Sequence, residues 1–312
     1  MKMKSLAINL GFALVASLSL LAQDATPATT YTFETVTYPH DTFTQLLGIN
    51  NSDVIAGYHG ANTSAENPNK GFTLVLPKSF TSENFPKSVQ TQVTAINDRT
   101  PTPKTVGFYI DTKGITHGFQ SVSGVYTTVD YPGTPFNQLL GQNTEHQAVG
   151  YYSTNAAGTA PDHAYIYDEC ANPLCTGPGV FEVLEIPNSK GGAQATGIND
   201  AGNVVGFYID DSNLMHGFLL VSGTFTTLNF PGSKGTTAAF GVNNDGKVVG
   251  SYSDASGSHG FVYTISNNSW QSIDDPDGVG TTVVNGINDK GKLVGFFGTS
   301  PINSGFVATP EP

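Results

Sequence analysis

Positive charge is scarce in this chain of 312 residues. Thirteen lysines and arginines face 25 aspartates and glutamates, for a net charge of −12, and Arg99 is the single arginine. Reading nucleic-acid phosphates needs clustered Lys and Arg, so nucleic acid is not an expected partner. Cysteine is almost absent: Cys170 and Cys175 are the two. A disulfide framework therefore cannot hold the fold together. Charged residues of all kinds make up only 12%. No Gly-x-Ser-x-Gly elbow and no His-Glu-x-x-His motif occurs. The expectation is accordingly no catalytic residue, no metal site and no cofactor. Beyond residue 21, no apolar run is long enough to cross a bilayer.

The N-terminus departs from this pattern. Lys2 and Lys4 precede an apolar stretch from Ser5 to Leu21, and Ala22 supplies a small residue before a cut. This reads as a secretory signal over 1–22, with a mature chain starting at Gln23. An uncleaved anchor is the alternative. Export implies an oxidising compartment, so Cys170 and Cys175 are expected to form a local disulfide that staples one loop. Two thiolates without nearby histidines make a poor metal site.

Glycine is abundant, at 36 residues, and it recurs in register. The asparagine of a Gly-Ile-Asn-like motif falls at Asn50, Asn97, Asn143, Asn199, Asn243 and Asn288. A Val-Gly-like pair follows, ending at Gly57, Gly107, Gly150, Gly206, Gly250 and Gly295. Then comes a His-Gly-Phe-like triplet, and finally an aromatic six residues before a proline, as in Phe225 and Pro231. Four landmarks repeated six times define six units of 44 to 56 residues, the spacing of successive asparagines.

Within a unit, four runs rich in β-branched and aromatic residues are bounded by turn residues. In one unit they cover Ala195–Asn199, Asn203–Ile209, His216–Val221 and Thr224–Phe230. Asp200-Ala201-Gly202 fits a hairpin loop whose glycine takes the left-handed position. Four antiparallel strands in such a length make one propeller blade. The last repeat ends after three strands, at Ser304-Gly305-Phe306, while Tyr31 to Pro39 carries a fourth-strand pattern before the first repeat. The expected fold is all-β: a six-bladed β-propeller of four-stranded antiparallel blades, closed by the N-terminal strand joining the last blade. The predicted organisation is a leader (1–22), a short linker (23–30), the propeller (31–308) and a C-terminal tail (309–312), in a monomer.

At these residues the chain resembles the HAF-repeat family of bacterial extracellular proteins. The matching stretches are Gly197 to Gly206, His216-Gly217-Phe218, and Phe225-Thr226-Thr227 before Pro231-Gly232. The resemblance covers about Tyr31 to Val307. It implies an extracellular or envelope location and carries over no catalytic residue. The tail Thr309-Pro310-Glu311-Pro312 resembles the opening of a PEP-type sorting signal, without the apolar helix and basic end that such a signal needs.

Two residue sets compete for function. His117, His163, His216 and His259 share one repeat position. They are read as making the same hydrogen bond within each blade, since equivalent sites on a wide ring cannot share one ion. The six asparagines are read as bonding turn backbone. Residues that differ between blades are the better candidates for a site. On the loops joining strands two and three these are His59, Asp111, Asp210, Asp211 and Asp254, which point to a cation or sugar. The acidic run Asp274-Asp275-Pro276-Asp277-Gly278 hints at calcium but lacks the later Glu of a helix–loop site. The function expected is a binding or scaffold propeller for an extracellular protein or glycan, with a hydrolase or lyase at the channel mouth as the alternative.

Overall fold

The computed structural model describes residues 28–60, 68–170, 179–299 and 302–312. The predicted leader and its cut lie outside the described residues. So does Cys175, and with it the predicted Cys170–Cys175 crosslink. Among the described residues there is no helix, and the chain is a succession of 24 strands.

β1 (Tyr31–Val36) stands before the first repeat. The first unit is then β2 (Phe43–Ile49), β3 (Val54–Gly60), β4 (Lys70–Val75) and β5 (Ser79–Ser82). The second is β6 (Gln90–Ile96), β7 (Lys104–Ile110), β8 (Thr116–Val122) and β9 (Val125–Thr128). The third is β10 (Phe136–Gln142), β11 (Gln147–Ser153), β12 (His163–Asp168) and β13 (Val180–Val183). The fourth is β14 (Ala193–Ile198), β15 (Val204–Ile209), β16 (Met215–Val221) and β17 (Thr224–Leu228). The fifth is β18 (Thr237–Val242), β19 (Lys247–Ser253), β20 (Ser258–Thr264) and β21 (Ser269–Ile273). The last is β22 (Val283–Ile287), β23 (Leu293–Thr299) and β24 (Ile302–Pro310). Consecutive strands within each unit pair antiparallel, and β1 supplies the fourth strand of the last, with Tyr31 opposite Pro310 and Val36 opposite Gly305. Pairing thus runs through Thr309 and Pro310, two residues beyond the predicted end of the sheet at 308.

The repeated landmarks explain the packing. In the second strand of each unit, the Val-Gly glycine faces a carbonyl of the first strand. A Cβ on Gly206 would lie 2.0 Å from the carbonyl oxygen of Gln194 and 2.6 Å from the Phe218 ring. Only glycine fits so close a backbone approach. Phe218 and its counterparts Phe72, Phe119, Tyr165, Phe261 and Phe306 are fully buried on that glycine-flattened surface. The hydrophobic clusters each join neighbouring units. The one that joins Val294, Val307 and Val36 of the last unit to Leu46, Ile55 and Phe72 of the first is of the same kind as the rest.

The six asparagines have a larger role than the local turn bond expected of them. Each is 4% exposed. Each Oδ1 accepts from a backbone N–H of its own turn, as from Asn203 at 2.9 Å for Asn199. Each Nδ2 also donates to the backbone carbonyl of the equivalent asparagine in the next unit: Asn50 to Asn97, Asn97 to Asn143, Asn143 to Asn199, Asn199 to Asn243, and Asn243 to Asn288, at 2.9–3.2 Å. Asn288 then donates to the carbonyl of Asn50 at 3.1 Å. The series returns to its first member.

Asn199→Ala removes both bonds, leaving the Asn203 N–H without its acceptor and the Asn243 carbonyl with only the Gly246 N–H of its own turn. The expected loss is about 1–3 kcal/mol, read as a lower denaturant midpoint at unchanged slope. A loss below about 0.5 kcal/mol would show that this ring contributes little.

Candidate functional site

The loops between second and third strands, and those crossing from one unit to the next, lie at the opposite end of the strands from the asparagine ring. The candidate residues gather there, with one change of place. His59 lies within β3, not in the loop after it. It stacks on Tyr38 with centroids 3.4 Å apart and pairs with Asp41. Burial pushes its pKa below the usual histidine value, against the pull of Asp41.

Asp111, Asp210 and Asp254 turn out to be equivalent to one another rather than unique. Each folds its own tight turn. Asp210 Oδ1 accepts from the backbone N–H groups of Ser212 (2.7 Å) and Leu214 (2.9 Å). Its Oδ2 meets His216 Nε2 at 3.0 Å, and His216 Nδ1 meets Asn229 at 2.8 Å. Asp130 bonds His117 Nδ1 at 2.6 Å with Asp111 facing Nε2 at 3.6 Å, and Asp274 bonds His259 Nδ1 while Asp254 and Ser256 Oγ face its Nε2 at 3.3 and 2.9 Å. Each histidine also stacks on a tyrosine of the preceding strand. The relay ties the second-to-third loop to the exit of the fourth strand. Backbone donors and the imidazole hold the carboxyls of Asp210 and Asp111 below the ordinary aspartate value of 3.8, with the Leu214 and Ile115 N–H groups as the largest causes. In the acidic run, Asp274 serves His259, and Asp275 caps its own turn by accepting from Asp277 N–H.

The third unit breaks this pattern. The second-to-third loop spans residues 154–162, nine positions, against five at 111–115 and 210–214. Thr154 stands where the others have aspartate, and Glu185 stands where the others have Asp130, Asn229 or Asp274. His163 stacks on Tyr152 at 4.8 Å but has no hydrogen-bond partner among the described residues. Beside it is a cavity of about 230 Å³ bordered by Asp162, His163, Glu185, Ser189 and Lys190. Asp211 reaches this rim through its ion pair with Lys190 at 2.6 Å. Sequence reasoning treated His163 as one more repeat histidine and passed over Asp162 and Glu185. The replacement of aspartate by threonine and of Asp or Asn by the longer Glu was the available signal.

The channel between the first strands is the second feature. Each first strand of the six units carries a bulge, at Leu47, Thr94, Leu140, Thr196, Phe240 and Asn285. Leu47, Leu140 and Phe240 therefore alternate with polar residues that bond to the next unit, such as Thr196 Oγ1 to the Ala239 carbonyl at 2.8 Å. These bulges border about 180 Å³ of space. Beyond the asparagine ring, Asp98, Asp200 and Asp289 alternate with Asn51, Thr144 and Asn244. Asn51 Nδ2 bridges Asp98 (3.0 Å) and Asp289 (2.7 Å), and Asn244 Nδ2 bridges Asp200 and Asp289, both at 3.1 Å. Burial, then the charges of Asp289 and Asp200, raise the Asp98 pKa. Among the described residues, no group of three or more His, Cys, Asp or Glu is arranged to hold a metal ion.

No protein-family model matches the chain, and no curated protein matches it. Solved structures do share its architecture. A catalytically inactive variant of virginiamycin B lyase from Staphylococcus aureus, with quinupristin, aligns with a TM-score of 0.52 at 9% identity, over 90% of this chain and 99% of that one. The fucose-specific lectin from Aleuria aurantia aligns at 0.51 and 10%, over 86% and 96%. TolB from Acinetobacter baumannii aligns at 0.53 and 11%, over 88% and 65%. At such identities the likeness is one of fold: the chain is all-β and shares the architecture of β-propeller proteins.

The relays carry a pH signature. A carboxyl depressed in the fold stabilises it above the unfolded value and loses that effect as pH falls through the folded one. The melting temperature of the wild type should therefore exceed that of Asp210→Asn at about pH 5, and the gap should shrink as the pH falls below the ordinary aspartate value. A difference that does not change with pH would mean the Asp210 charge has no part in the relay.

Proposed function

We propose that the chain is an exported, closed six-bladed β-propeller that acts as a binding or scaffold module for a protein or a glycan outside the cytoplasm. Closure is supported by β1 completing the last unit and by the asparagine series returning to Asn50. Export rests on the basic and apolar N-terminus and agrees with the HAF-repeat resemblance. Binding is assigned to the end bearing the relays. The observation that carries this assignment is the difference between the two ends. At one end the asparagines of all six units bond into one repeated ring. At the other, aspartate–histidine relays brace the loops of three units, while the third unit lacks its relay and opens a cavity. A braced frame that carries an irregular opening suits recognition, because loops on such a scaffold lose little freedom on binding. The fucose-specific Aleuria aurantia lectin indicates that this architecture can serve sugar recognition.

Two measurements test the reading. Deleting residues 31–39 should leave β24 as an open sheet edge, prone to pairing with other chains. A lower melting temperature and concentration-dependent association are expected, and a monomer that melts like the intact protein would refute closure. Glycan-array and pull-down experiments with the purified protein should yield a retained glycan or protein. Turnover of a substrate without retention of any partner would favour the hydrolase or lyase reading instead.

A further inference from the structure

Three observations meet at the crevice between the third and fourth units. Asp162 accepts from Gln194 Nε2 at 2.6 Å through Oδ2, while its Oδ1 is buried with no hydrogen-bond partner. A buried acceptor without a donor is a rare and unfavourable arrangement in a folded protein. His163 has lost both relay partners that its counterparts keep. Its imidazole is held by the Tyr152 stack, and neither ring nitrogen has a hydrogen-bond partner among the described residues. Ala164 and Ile186 are buried beside these groups, and Glu185 and Lys190 are exposed at the rim. Lys190 is already engaged by Asp211.

We propose that this crevice binds one donor-rich, non-anionic sugar unit, whose hydroxyl or amino groups donate to Asp162 and Glu185 while His163 takes a further hydrogen bond and Ala164 and Ile186 meet its apolar face. The inference rests on the reading of this end as a binding face and names its ligand. The cavity holds the volume of about eight waters, taking about 30 Å³ for each, which suits a single sugar ring rather than an extended chain. The polar groups left without partners are acceptors or an imidazole, so the ligand must bring donors. Glu185 at the rim and Asp162 inside the crevice, on a chain of net charge −12, repel an acidic sugar. The site belongs to one unit, because carboxylates or Asn229 flank the equivalent histidines of the second, fourth and fifth units and the first and sixth carry Lys70 and Ser304 there.

The test is ligand-observed NMR and titration calorimetry of the purified protein with neutral hexoses and deoxyhexoses, glucosamine and glucuronic acid. At least one neutral sugar or glucosamine should bind, and glucuronic acid should not. Glu185→Gln changes an exposed residue and should leave folding intact. It and His163→Ala should each weaken binding about ten-fold or more, equal to about 1.4 kcal/mol. His117→Ala, at the same repeat position in the second unit, should leave affinity within about two-fold. Sugar binding that is unchanged in Glu185→Gln and His163→Ala would move the site elsewhere on the face and overturn the crevice assignment alone. Binding of glucuronic acid in preference to the others would overturn the donor-rich, non-anionic class. Failure of every sugar, with a protein retained in pull-downs, would overturn the sugar site and leave the binding face standing. Retention of no partner in any assay would overturn both.

Discussion

A closed series of six asparagine carboxamides is the constraint on which the rest of this molecule depends. A carboxamide both donates and accepts, so one side chain can close its own turn and hold its neighbour's backbone at once. Aspartate in that place would lack the donor, and serine would lack the reach and the second hydrogen. Burial adds to the effect, because a broken bond there leaves an unsatisfied group away from water. The spacing between units is set by these bonds and by the small residues beside them. A Cβ on Gly141, for example, would lie 2.9 Å from the Gly197 Cα. The first strands are thereby drawn close around a narrow waist.

On this frame a three-fold pattern is laid over six units. The second, fourth and sixth carry Thr94, Thr196 and Asn285 at the bulge and Asp98, Asp200 and Asp289 after the asparagine. The first, third and fifth carry Leu47, Leu140 and Phe240, followed by Asn51, Thr144 and Asn244. The alternation has a physical sense in both layers. Large and small side chains fill a ring that six large ones would overcrowd. Six adjacent carboxylates would repel one another, whereas the carboxamides of Asn51 and Asn244 and the backbone N–H of Thr144 supply donors between three of them.

The irregular third unit gains its meaning from the regular ones. Where aspartate, histidine and a second acceptor stand in line, the imidazole is fully engaged and serves to brace the loops. Where the flanking partners change to Thr154 and Glu185, the same imidazole becomes available to another molecule. Repetition and function are thus separated within a single residue position, and the separation lies in what the neighbours do.

Much of this was legible in the residues. Six repeats, four strands in each and the missing last strand follow from spacing and alternation, because strand period and turn chemistry are local properties. Gly202 at φ 76° and Gly223 at φ 78° hold left-handed turn positions that glycine adopts most readily. The strand limits in the fourth unit agree with those read from sequence to within two residues. Asp111, Asp210 and Asp254 read as independent loop residues, because their shared place in a relay depends on partners 5 to 20 positions away, some of them across a sheet. His59 read as a loop residue because the following loop has no sharp turn signal. The sequence by itself determined the repeat, the strands and the identity of the residues held constant in each unit, since these obey nearest-neighbour rules. Only the tertiary structure decided that the asparagines bond from unit to unit, that three aspartates brace three histidines, and that His163 faces a cavity, since hydrogen bonds between distant segments depend on distances that no local pattern records.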